Sequence, residues 1–101
     1  MDTAAVAVLV DAALVGSLAG AARRLGVSPM VATRRLAALE QDLGVRLFHR
    51  TTRSMSLTPE GEAFLPYAQA LVEGELAARA NLRAAKEGVS GSTRRPLSDE
   101  S

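Results

Sequence analysis

Punctuation between apolar segments is what most constrains this chain. Gly16-Ser17, Gly26-Val27-Ser28-Pro29, Gly44 and Thr58-Pro59 each stop one apolar period or open another. Glycine adopts the left-handed conformation that ends a helix, whereas serine or threonine accepts the free N–H groups at a helix start. Proline at the first helical position loses an N–H that had no partner anyway. Between these marks the spacing is helical. Val6, Leu9, Val10 and Ala13 fall at i, i+3, i+4 and i+7, predicting a helix over 3–15 with those residues inward. Ala21, Ala22 and Leu25 mark a short helix over 18–25. Ala32, Leu36, Leu39 and Leu43 form the inward stripe of a third helix over 29–43, capped by Ser28.

The period then changes. The runs 45–50 and 55–57 read as two short strands joined by 51–54, with Met55 and Leu57 inward and Ser56 outward. A last helix is expected over 59–87, with Glu60 and Glu62 in its first turn and Arg79, Arg83 and Lys86 near its end, as the helix dipole favours. At about 1.5 Å per residue it is about 43 Å long, more than a core of about 57 residues can cover. Phe64, Ala68, Leu71, Glu75, Ala78, Leu82 and Ala85 alternate in +4 and +3 steps along it, a seam whose simplest partner is a second copy of itself. Pro66 and Gly74 are the places where this helix is expected to bend. Residues 88–101 are polar and aperiodic and read as disordered.

Composition excludes much chemistry. Alanine occurs 19 times, aromatics make up 3% of the chain, and Trp and Cys are absent, which favours helices over a β-sandwich. Without cysteine there is no disulfide framework, thiol nucleophile or cysteine zinc site. A single histidine, His49, leaves no basis for Ser/His catalysis or a histidine metal cage. The expectation is no enzyme, no metal and no cofactor. Between Thr3 and Ala22 the only charge is Asp11, which superficially resembles a signal peptide or membrane span. Asp2 stands where a signal peptide needs a cation, and an aspartate at mid-span costs about 2.5–3.5 kcal/mol. A soluble helix pair, no membrane partner and a cytoplasmic location are expected.

Charge is almost balanced, with 12 Lys+Arg against 11 Asp+Glu, but it is unevenly distributed. Between Ser17 and Leu57 the bases are Arg23, Arg24, Arg34, Arg35, Arg46, Arg50 and Arg53, and the acids only Glu40 and Asp42, so the segment carries 7 − 2 = +5. Clustered arginine on helices is the footprint of phosphate binding. Opposite its inward stripe the third helix carries Met30, Thr33, Arg34, Ala37 and Gln41, a face without an acid that suits a major groove. Arg34 suits a bidentate contact with guanine, Thr33 a phosphate or base edge, and Met30 or Pro29 a thymine methyl. Arg50 and Arg53 flank the hairpin turn, where arginine senses a narrow minor groove.

Residues 16–61, GSLAGAARRLGVSPMVATRRLAALEQDLGVRLFHRTTRSMSLTPEG, resemble the winged helix-turn-helix of LysR-type transcriptional regulators. The ordered set AARRLGVS, RRLAALEQDLGVRLFHRTTR and LTPEG carries the resemblance, which covers residues 1–87. It implies a mainly α fold in which three helices and a two-stranded β-hairpin wing precede a long dimerisation linker helix. The implied organisation is a DNA-binding domain over 1–58, a linker helix over 59–87 and a disordered tail over 88–101. It further implies DNA contacts by Ser28, Pro29, Met30, Thr33, Arg34, Arg50 and Arg53, and dimerisation through the seam residues Phe64, Ala68, Leu71, Ala78 and Leu82. Pro29 replaces the family's commoner glutamine, which leaves base preference open. The implied function is sequence-specific binding of an interrupted palindrome by a homodimer. The alternative is a dimerising antagonist that forms mixed dimers with a full-length regulator. Family members continue into an effector-binding domain that this sequence lacks, so no small-molecule effector is expected. A natural stand-alone protein, a frameshifted or truncated product and an excised piece all fit that length.

Overall fold

The computed structural model describes residues 1–50 and 55–87. The order is α1 (Thr3–Val15), α2 (Leu18–Leu25), α3 (Pro29–Leu43), β1 (Phe48–Arg50), β2 (Met55–Leu57) and α4 (Pro59–Glu87). The predicted turn 51–54 and the predicted disordered tail 88–101 lie outside the described residues. Among the described residues no helix is long and apolar enough to cross a membrane.

The punctuation acts as the residue types require. Asp2 accepts from the Ala4 N–H, Ser17 Oγ from the Gly20 N–H at 2.9 Å and Ser28 Oγ from the Val31 N–H at 3.2 Å. Helices α1, α2 and α3 each end on a glycine in the left-handed region. At Gly44, with φ 74°, an L side chain would be strained, and its N–H returns to the Glu40 carbonyl at 2.8 Å.

Helix α1 is the centre of the molecule, and α2, α3, α4 and β2 all pack on it. Its buried residues are Ala5, Val6, Val8, Leu9 and Ala12, while Val10 and Ala13 are half-buried at the edge. The expected stripe of Val6, Leu9, Val10 and Ala13 is therefore too narrow and displaced. A helix that is apolar around most of its circumference is enclosed by neighbours, and a search for one stripe does not see that. In α3 the inward set is Ala32, Leu36, Leu39 and also Glu40, with Leu43 half-buried.

The wing is antiparallel, with Phe48 opposite Leu57, His49 opposite Ser56 and Arg50 opposite Met55. Met55 and Leu57 pack against the core, and Ser56 and His49 are exposed. The expected strand over 45–50 shrinks to Phe48–Arg50. Leu47 and Phe48 are buried in succession, at 0% and 1% exposure, which an alternating strand does not allow. Glu40 on α3 and Thr58, just before α4, hold this stretch instead. Glu40 Oε2 accepts the Leu47 N–H at 2.8 Å and the Phe48 N–H at 3.3 Å. Thr58 Oγ1 donates to the Arg46 carbonyl at 2.6 Å, and the Thr58 N–H donates to the Leu47 carbonyl at 3.0 Å.

Thr58 also starts α4, its Oγ1 accepting the Gly61 N–H at 2.9 Å. A Cβ at Gly61 would run into the Leu47 carbonyl oxygen and come within 2.9 Å of Leu57 Cδ2, so only glycine lets the first turn of α4 close over the 46–48 crossing. Helix α4 continues as one element through both Pro66 and Gly74. Gly61 and Ala68 are buried and Phe64 and Val72 half-buried against the core, so the packed unit extends beyond residue 58. From Leu76 to Glu87 every residue is exposed.

These contacts set the stability expected of variants. Glu40→Ala removes a charged acceptor from two enclosed N–H groups and should cost about 3 kcal/mol. Thr58→Ala should cost about 1 kcal/mol or somewhat more, since it loses a cap and a tie to Arg46. Urea unfolding followed by circular dichroism measures both, and a midpoint unchanged in Glu40→Ala would show that the carboxylate does not anchor the wing. Gly61→Ala should cost about 1–3 kcal/mol through overpacking, read by the same titration.

Candidate nucleic-acid interface

The candidate interface begins at the turn that leads into α3. Gly26, with φ 72°, and the Ser28 cap end α2 and start α3 only a few residues apart, so the two helices pack against each other at a fixed angle. With Ala32, Leu36, Leu39 and Glu40 held inward, the opposite face is set. Met30, Thr33, Arg34, Ala37 and Gln41 are all exposed there, Met30 at 72%. Ser28 and Pro29 are exposed at the same helix end, although the Ser28 hydroxyl is already used as the cap. The N-terminal half of α3 thus presents a hydroxyl, a guanidinium and an apolar tip, without a carboxylate among them.

The two flanks of α3 differ. On one side Arg34, Arg35 and Ala38 line a cleft against the start of α1, where Asp2 and Asp42 also lie. Asp42 is exposed and its carboxylate stands 4.0 Å from the amino group of Met1. On the other side Ala37, Gln41, Gly44, Val45 and Arg46 line a cleft of about 440 Å³ between the end of α3 and the crossing to the wing. Arg24 of α2 pairs with Asp11 of α1 at 3.6 Å, so this guanidinium is partly engaged within the chain.

Of the wing arginines, Arg50 ends β1 and its backbone is in register with Met55, while Arg53 lies outside the described residues. On α4, Phe64 and Ala68 do not stand ready for a partner. Ala68 has 0% exposure and Phe64 packs against the core, because α4 spends its first turns covering α1. Leu71, Ala78 and Leu82 remain exposed, Leu82 at 72%. Glu75, the break in the seam, is ion-paired to Arg79 at 3.1 Å one turn on.

Two residues that shape the interface were not singled out by sequence. Glu40 counts in the sequence only as one of the two acids of the basic segment, although its position four residues after Leu36 lies on the inward stripe. Arg46 entered only as one arginine of the basic segment.

Comparison with known proteins agrees with this architecture. The family model described as "Bacterial regulatory helix-turn-helix protein, lysR family" matches residues 3–62. The transcriptional regulator ClcR of Pseudomonas putida is 46% identical over 79 residues, which is 78% of this chain and 27% of ClcR. The chain thus spans about a quarter of the length of the curated relatives it matches first. Among solved structures, the CbnR DNA-binding domain in complex with DNA matches with a TM-score of 0.72 and 41% identity, covering 82% of this chain and 93% of that one. The BenM DNA-binding domain on catB site 1 DNA matches with a TM-score of 0.78 and 26% identity, over 87% of this chain and 98% of that one. A winged helix-turn-helix with a long C-terminal helix, matched by the family model over more than half its length, makes this chain a member of the LysR family of bacterial regulatory helix-turn-helix proteins.

Proposed function

We propose that the chain is a sequence-specific DNA-binding transcription regulator that places α3 in the major groove and pairs with a second copy through the distal part of α4. The observation that carries this reading is the exposed face Met30, Thr33, Arg34, Ala37 and Gln41, which bears a guanidinium and no acid within a segment of net charge +5. A major groove admits one helix and offers guanine O6 and N7 to an arginine. The like domains of CbnR and BenM, solved on DNA, support the same docking. Ser28, Pro29, Met30, Thr33 and Arg34 are the residues assigned to the groove, with Arg50 and Arg53 assigned to the flanking backbone and minor groove. As a bacterial regulator of DNA the protein would act in the cytoplasm.

A retardation assay on a panel of promoter duplexes, run at 50 and 200 mM salt, tests the reading. Wild-type affinity should fall by about 10³ or more between these salts if a dimer neutralises about six phosphates. Arg34→Ala should cost about 1–3 kcal/mol on the preferred duplex and relax its preference over the others. Affinity indifferent to salt, or preference untouched by Arg34→Ala, would sink the docking mode.

The dimer is assigned to Leu71, Ala78 and Leu82, since of the five residues assigned to dimerisation these three are left exposed. An interrupted palindrome follows from the two-fold symmetry of such a dimer. Leu71→Asp should convert the protein to monomers by light scattering, and a mass that stays dimeric would move the interface elsewhere. Dimers that bind DNA poorly, but co-purify with a longer regulator carrying the same helix, would favour the mixed-dimer antagonist instead.

A further inference from the structure

We infer that Arg46 is an additional phosphate-binding residue, which holds the DNA backbone beside the groove occupied by α3. The inference rests on the proposed docking of α3 and deepens it.

Arg46 lies outside the helices and strands, yet its main chain is held from both sides. Its carbonyl accepts from Thr58 Oγ1 at 2.6 Å. The next two N–H groups, those of Leu47 and Phe48, are held by the Glu40 carboxylate. The following side chains, Leu47 and Phe48, are locked in the core. Residue 46 is thus pinned between the end of α3 and the start of α4, while its own side chain is exposed. A cation on a fixed backbone loses less conformational freedom on binding than one on a mobile loop.

Its surroundings point to an anion. Arg46 lines one cleft with Ala37 and Gln41, both of which belong to the outward face of α3. Glu40 borders the same cleft, but its carboxylate oxygen accepts from the Leu47 and Phe48 amides inside the fold. Among the described residues no carboxylate is ion-paired with Arg46, in contrast to Arg24, which is paired with Asp11. Gln41 supplies an amide donor at the same cleft, and Ala37 adds little bulk to obstruct an approaching strand. A guanidinium and a carboxamide flanking a small-residue floor, next to a helix docked in a groove, suit a phosphodiester oxygen of the strand that borders that groove. Such a contact sets register and depth and carries no base information.

The test compares wild type, Arg46→Ala, Arg46→Lys and Arg34→Ala by fluorescence anisotropy on the preferred promoter duplex and on an unrelated duplex of equal length, across a salt series. Arg46→Ala should weaken binding to both duplexes by on the order of tenfold for each chain bound, the loss of one charge-assisted hydrogen bond per chain. The slope of log affinity against log salt should flatten by about 1 for each chain bound. Arg46→Lys should keep the wild-type slope, because it keeps the charge. Thermal unfolding should be unchanged in both variants, since the fold uses only the backbone of residue 46. A salt-steep wild type whose affinity and slope are untouched by Arg46→Ala would overturn the assignment while leaving the docking of α3 intact. A loss confined to the promoter duplex would also overturn it, by making Arg46 a base reader. A flat salt profile in wild type, together with an inert Arg34→Ala, would remove the docking reading itself and this inference with it.

Discussion

The structure depends on a buried carboxylate. Glu40, 6% exposed, sits on the inner side of α3 and accepts the N–H groups of Leu47 and Phe48. Enclosed backbone donors must find partners, and a charged acceptor makes stronger bonds than a neutral one. This arrangement lets the chain leave α3 at Gly44, cross the core with two apolar side chains buried in succession, and emerge as the first strand of the wing. The same crossing supplies the carbonyls of Arg46 and Leu47 to Thr58, where α4 begins. The end of α3, the base of the wing and the start of α4 are therefore joined within a few residues. A buried carboxylate is costly to desolvate, and its value here lies in fixing one route for the backbone.

The second constraint is how α4 divides its length. Its first turns belong to the core, where Gly61 allows close approach to Leu47, and Phe64, Ala68 and Val72 cover α1. Its last turns are exposed throughout. A unit of this size buries limited apolar surface and is only marginally stable by itself. Pairing of the exposed half would stabilise the chain in a concentration-dependent way. The boundary between core and projection falls after Val72, which still packs against the core, and before Leu76, where continuous exposure begins.

Much of this was legible in the residues. Glycine, serine, threonine and proline placed the helix boundaries from the end of α1 to the start of α4, because capping and left-handed termination are settled within one turn of chain. The outward face of α3 was legible because four inward residues at +4, +3, +4 spacing fix the opposite side of any helix. The site was less so. The seam spacing on α4 grouped Phe64 and Ala68 with Leu71 and Leu82, yet the first two are consumed by α1. Spacing identifies a face but does not say which neighbour covers it. The strand over 45–50 was overextended for a related reason, since β propensity cannot distinguish a residue hydrogen-bonded to a strand from one hydrogen-bonded to a side chain.

The four helices, the caps at Ser17 and Ser28, the basic segment and the family pattern could all be read from the amino-acid order alone. These follow from interactions between residues a few positions apart and from charge that does not depend on geometry. Three features came from the packed fold: the hydrogen bonding of Glu40 to the wing base, the pinning of Arg46 between Glu40 and Thr58 with its side chain outside, and the enclosure of α1 on several sides. Each of these depends on groups brought together across α3, the wing and α4, and such proximity exists only once the core has closed.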